Sequence, residues 1–203
     1  MRSHPALPQN HVMQSRRVTL VTRCAGTIVG LAILVASPAS ADDASPLTEL
    51  VDAAAQRLQI AEPVAAYKWT TRGAIEDQDR VRQELAKMAA QASARRIDPD
   101  YVTRLFGDQI RATEGIEYSR FADWKLNPDA APGQSVDLSA SRSAIDDLNQ
   151  TMLNQVVGNW DLLHSPACAA QLDLAASGVV RARSLDALYR RALALATQSY
   201  CQQ

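Results

Sequence analysis

The sequence predicts an all-α fold, a single-domain bundle of about six helices held by one disulfide. Three observations carry this expectation. No stretch sustains the apolar/polar alternation of a half-buried strand, whereas Ala, Leu, Gln, Arg and Asp fill long segments whose apolar residues recur at helical spacing. Turn residues punctuate these segments at intervals that suit helices. Beyond residue 41 only two cysteines remain, Cys168 and Cys201, an even pair.

Residues 1–41 read as an export signal. Arg16, Arg17 and Arg23 lead into the uncharged run CAGTIVGLAILVA, and Ala39-Ser40-Ala41 forms an A-x-A cleavage site with Asp42-Asp43 beyond it. The run of about 13 apolar residues is shorter than the roughly 20 that a membrane span needs, so a retained anchor is the weaker reading. Ser15-Arg16-Arg17 with Leu20 suits a twin-arginine signal and an ordinary basic n-region equally, and leaves the export route open. Residues 42–203 are then the mature chain, secreted or periplasmic. Its 162 residues make one domain. Chains of about 150 residues bury about 70% of the unfolded surface, enough for a core.

The first helix is expected from Pro46, after Ser45, towards Trp69, with Leu47, Leu50, Val51, Ala54 and Leu58 on its buried stripe and Pro63 placed to kink it. The second starts at about Asp77 and carries Val81, Leu85 and Met88. Asp98-Pro99 is an N-cap followed by an N1 proline, opening a third helix to about Lys125 with Val102, Leu105, Phe106, Ile110, Phe121 and Trp124 along it. Asn127 to Val136, with two prolines and a glycine, is a solvated connector. Ser139 caps a fourth helix carrying Ile145, Leu148, Met152 and Val156 to about His164; Ser165-Pro166 begins a shorter fifth. Ser184 begins a sixth with Leu185, Leu188, Leu193 and Leu195, ending near Cys201. Trp69, Trp124 and Trp160 stand at helix ends, where packing is the expected role.

Charge and histidine count exclude several function classes. Four of the 21 cationic residues precede residue 42 and all 22 acidic ones follow it, so the mature chain carries −5, against a nucleic-acid binder. With no basic helix face, this charge also argues against a membrane-active helical protein. One histidine, His164, survives cleavage, which removes histidine-dependent triads and multi-histidine metal sites. In an oxidising compartment Cys168 and Cys201 pair by default, closing a 33-residue interval worth roughly 3–4 kcal/mol in the loop-entropy account. Their spacing excludes a C-x-x-C redox pair.

Polar residues in phase with buried stripes define a candidate site. Arg57 and Lys68 are 11 residues apart, three helical turns with about 20° of drift, so both can face one cavity. Arg80 and Glu84 are one turn apart, as are Thr113 and Glu117, with Gln109 continuing the latter row. Taken singly, Arg80–Glu84 reads more readily as an exposed i,i+4 ion pair and Arg57 as a snorkelling surface residue. Taken together, cations converging inside a bundle call for an anionic ligand, and a small di- or polycarboxylate suits Arg and Lys donors.

Four strings, VDAAAQRLQIAEPVAAYKW, IEDQDRV, IDPDYVTRLFGDQIRATEGIEYSRFADWKLNP and DLSASRSAIDDLN, closely resemble the secreted, periplasmic-type chorismate mutases of the all-helical AroQ class, gamma subclass, and cover 71 of the 162 mature residues. The resemblance implies an isomerase that carries out the Claisen rearrangement of chorismate to prephenate in aromatic amino acid biosynthesis, with no cofactor, metal or covalent intermediate. It also implies a homodimer in which each site is built within one chain. Family positions that contact substrate fall on Arg57, Lys68, Arg80, Thr113, Glu117 and Arg142, with Asp77 as an orienting partner for Lys68. Arg57, Lys68, Arg80 and Glu117 are the implied catalytic group. Two positions depart from the pattern: Glu84 stands where Gln is expected near the substrate's ring hydroxyl, and Gly115 replaces Ala inside a helix, costing about 1 kcal/mol. The competing reading is a non-catalytic exported helical module that binds a small carboxylate anion.

Overall fold

The computed structural model describes residues 44–134 and 137–202. The expected export signal, residues 1–41, lies outside them, as does the end of the 127–136 connector. The described residues form eight α-helical segments and no strand: α1 (Thr48–Gln59), α2 (Ala61–Thr71), α3 (Gln78–Ala94), α4 (Pro99–Leu126), α5 (Ser139–Gly158), α6 (Trp160–Leu163), α7 (Cys168–Ala182) and α8 (Ala187–Thr197), with a 3-10 turn at Pro128–Ala130.

Six expected helices become eight because two are interrupted. The first breaks at Ile60, where α1 gives way to α2. Pro63 explains the position: it has no N–H for the carbonyl of Gln59 four residues back, and its ring crowds that carbonyl. The fourth breaks at Asn159, leaving the single turn α6.

Helix starts follow side-chain chemistry. Asp77 accepts the amide of Arg80 at 3.0 Å, and Asp98 accepts that of Asp100 ahead of the N1 proline. Two expected caps differ. At the fourth helix Asp137, rather than Ser139, accepts the Ser139 amide at 2.9 Å. At the sixth, Asp186 accepts the amide of Tyr189, and Ser184 instead adopts φ 51° in the turn that closes α7. Arg72 and Arg96 take the same left-handed conformation after α2 and α3. In each case the next amide bonds five residues back (Gly73 to Lys68, Ile97 to Ala92, Leu185 to Val180), the closure of a Schellman motif.

α1 is the central element. It packs against α4, α5, α7 and α8, and its residues Leu50, Val51, Ala54, Ala55 and Leu58 are fully buried. α4 runs along α8, α3 and α2, with Tyr101, Val102, Leu105, Phe106, Ala112 and Ile116 on its inner stripe. Cys168 at the start of α7 is bonded to Cys201 beyond α8, tying the open ends of that hairpin, and Tyr101 donates its hydroxyl to the carbonyl of Tyr200 at 2.7 Å. Trp69 packs edge-on against Phe121 and Trp124 at 5.2 and 5.7 Å, Phe121 and Trp124 lie tilted at 6.1 Å, and Trp160 lies against Tyr101 and His164. The tryptophans are packing residues.

Candidate active site

α1, α2, the 72–77 loop, α3, α4 and the first turns of α5 enclose a cavity of about 750 Å³. Arg57, Lys68, Asp77, Arg80, Glu84, Thr113, Glu117 and Arg142 all line it, so the candidate substrate-site residues named from the sequence share one space. Ile60, Val64, Val81, Ile110 and Ile145 form its apolar walls. Gln109, in the same row as Thr113, is turned to the core: it is fully buried and donates to the carbonyl of Ala54.

Arg57 is the deepest cation. Its side chain is buried at the end of α1, and the Nε–H donates to Oδ1 of Asn149 at 2.8 Å, while Nη1 reaches the hydroxyl of Thr113 at 3.4 Å. Loss of hydration lowers the guanidinium pKa to about 10, with Glu84 and Tyr200 acting in the opposite direction, so it stays charged at neutral pH. It is no snorkelling surface residue.

Lys68 sits in the last turn of α2. The left-handed Arg72 folds the chain back over it, so that Nζ donates to the carbonyl of Ile75 at 2.8 Å and to Oε2 of Glu117 at 2.7 Å. Asp77, the expected partner of Lys68, uses its carboxylate to cap α3 instead. Glu117 lies on the inner face of α4 and is almost fully buried. Burial raises its pKa, and the adjoining Lys68 offsets part of that rise.

Nearer the rim, Arg80 does form the i,i+4 pair with Glu84, at 2.9 Å, while still lining the cavity. The other oxygen of Glu84, Oε2, is buried without a hydrogen-bond partner, with Lys87 Nζ 3.9 Å away. Arg82 pairs with Asp79. Among the described residues, Arg57 and Arg142 are thus the two cations lining the cavity that have no carboxylate within 4 Å. Two guanidinium groups with no carboxylate in direct contact, beside a lysine, suit a ligand with two carboxylates.

Three participants escaped the sequence reading: Asn149, the carbonyl of Ile75 and Glu114 at the cavity wall. A backbone carbonyl leaves no trace in composition. Asn149 did leave one, since it lies on the Arg142–Ile145–Met152 face of α5 at helical spacing, a polar residue in phase with a buried stripe.

Residues 48–118 match the model of the family described as chorismate mutase type II. Over 92% of its length the chain is 58% identical to the secreted chorismate mutase of Mycobacterium tuberculosis, covering 95% of that protein. The chain belongs to the chorismate mutase family. A second secreted chorismate mutase, from Mycolicibacterium smegmatis, is 53% identical, with 81% of this chain and 91% of the relative aligned. Crystal structures of chorismate mutases from Burkholderia phymatum and Burkholderia thailandensis superpose on this mutase with TM-scores of 0.73 and 0.71 at 28% and 31% identity. They align with 78% and 77% of this chain, and with 97% and 99% of theirs. The family-matched segment holds seven of the eight cavity residues named above; Arg142 enters from α5, outside it.

Proposed function

We propose that this secreted chorismate mutase rearranges chorismate to prephenate in the cavity beneath α3, with Lys68 and Glu117 acting on the ether oxygen and Arg57, Arg80 and Arg142 holding the two carboxylates. The observation that carries the reading is the buried Lys68–Glu117 pair, two potential donors 2.7 Å apart at the back of a cavity that also presents two unpaired guanidinium groups.

The reaction is intramolecular: the ether C–O bond breaks as a C–C bond forms between the two ends of the same molecule. Its transition state is compact and places growing negative charge on the ether oxygen. Arginines gripping both carboxylates select the compact conformer, which supplies orientation. Arg80, the exposed end of its pair with Glu84, can turn towards a substrate carboxylate from the rim. Hydrogen bonds from the Lys68 ammonium and from a protonated Glu117 strengthen only as charge develops, so they lower the barrier rather than merely binding substrate. A raised Glu117 pKa favours the acid form that can donate. Thr113 lines the cavity beside Arg57, its hydroxyl donating to the carbonyl of Gln109 and accepting from Nη1 of Arg57, and the Glu84 carboxylate at the cavity wall is the proposed acceptor for the ring hydroxyl. Asp77 holds the start of α3, and with it Arg80, in register.

Residues 1–41 are removed on export by this reading, leaving 42–203 as the active chain. The proposed assembly is a homodimer whose sites are each lined by a single chain. Purified residues 42–203 are expected to consume chorismate, followed by its loss of absorbance, and to form prephenate at a rate unchanged by chelator. A folded sample without turnover returns the protein to the class of anion-binding modules.

A further inference from the structure

Arg57 is a buried cation held entirely by neutral acceptors. Its Nε–H donates to Oδ1 of Asn149 at 2.8 Å and Nη1 approaches the Thr113 hydroxyl at 3.4 Å. Asn149 is itself buried, on α5, 92 residues away in sequence, and no carboxylate lies within 4 Å of the guanidinium among the described residues. Other arginines of this chain are treated differently: Arg183 meets Asp52, Arg120 meets Glu62 and Arg80 meets Glu84. A carboxylate is the ordinary solution for a buried guanidinium, because it offsets the lost hydration. At position 149 the chain has the uncharged amide of the same shape.

We propose that Asn149 is a positioning residue for the mutase reaction, orienting Arg57 through a neutral acceptor so that its charge stays available to a substrate carboxylate. The bond to Nε fixes the plane of the guanidinium and leaves the Nη edge to the cavity. A carboxylate in the same place would fix that plane equally well, yet it would neutralise the cation and compete with the substrate for it. The inference rests on the proposed role of Arg57 in binding chorismate.

Opposed effects on stability and binding distinguish positioning from simple core structure. Asn149→Asp supplies the missing counter-charge without changing shape, so it should keep or raise the Tm while raising the KM for chorismate at least tenfold at neutral pH, with kcat reduced much less. Asn149→Ala removes the acceptor, leaves the guanidinium plane unset and should raise the KM severalfold, with a lower Tm. The two variants therefore separate: both bind worse, and only one is less stable.

The measurement is steady-state chorismate kinetics and thermal melting on the parent and both variants of residues 42–203. A KM within threefold of the parent for Asn149→Asp overturns the proposal, as does a Tm loss in that variant or its failure to fold, because each denies that a carboxylate fits there at the expense of substrate alone. Activity of the parent is the internal control. A parent that does not turn over chorismate removes the functional reading itself, whereas an active parent with an unaltered Asn149→Asp removes only the role of Asn149.

Discussion

Lys68 Nζ lies 2.7 Å from Glu117 Oε2, joining the last turn of α2 to the inner face of α4, and the carboxylate end of this pair is only 3% exposed. The two side chains come from positions 49 residues apart, and neither is needed to fill the core. A buried ion pair is an inefficient way to stabilise a fold, since desolvation consumes most of the attraction. Its place at the back of a cavity with unpaired arginines makes chemistry the better reason for it.

Lys68→Ala should therefore lower kcat/KM by about 10²–10³, the usual cost of losing one donor to developing charge. The far-ultraviolet circular dichroism should stay that of the parent, because the side chain is partly exposed and Glu117 can take up a proton once its partner is gone. Activity within threefold of the parent would place the reacting oxygen elsewhere.

Reduction of Cys168–Cys201 should destabilise without inactivating. The bond closes a 33-residue interval at the α7–α8 ends and neither cysteine lines the cavity. A loss of roughly 3–4 kcal/mol corresponds to a Tm lower by about 10 °C for a chain of this size. Thermal melts with and without reductant, paired with rates at a temperature where both forms are folded, check both halves.

Gly115→Ala should stabilise. The glycine is exposed in the middle of α4, and a Cβ built there meets nothing within 4 Å. Recovering helix propensity gives about 1 kcal/mol, or a Tm higher by about 3 °C. The kinetic constants should not change, since Gly115 faces away from the cavity that Thr113 and Glu117 line.

Much of this architecture was legible in the chain because local and tertiary signals agree. Asp77, Asp98-Pro99 and the stripe Leu47, Leu50, Val51, Ala54, Leu58 each state a helix start or a buried face in terms of chemistry near in sequence. The 11-residue spacing of Arg57 and Lys68 carried the site even though the helix breaks at Ile60, since the chain there keeps right-handed helical dihedrals (φ −72°, ψ −14°) and the phase survives. What escaped depends on tertiary contacts or on conformations that the residue type does not advertise. Arg72, Arg96 and Ser184 end their helices in the left-handed region that glycine would have signalled, so Ser184 read as a beginning when it is an end. Asp77 looked like a partner for Lys68, but the cap of α3 claims its carboxylate, and Lys68 turns to a backbone carbonyl that no sequence pattern marks.

The pH dependence of kcat, compared between the parent and Glu117→Gln, tests the donor role of Glu117 most directly. Burial raises the Glu117 pKa and Lys68 pulls it back, so the acid form is favoured relative to an exposed carboxyl. Only that form donates to the ether oxygen, and the ionised carboxylate repels the growing charge. Turnover of the parent is thus expected to fall as pH rises through the pKa of Glu117 in the substrate complex. Glu117→Gln carries a permanent donor and should keep substantial activity at neutral pH with that limb flattened. Superimposable profiles for the two proteins would contradict the account and remove Glu117 from the chemistry.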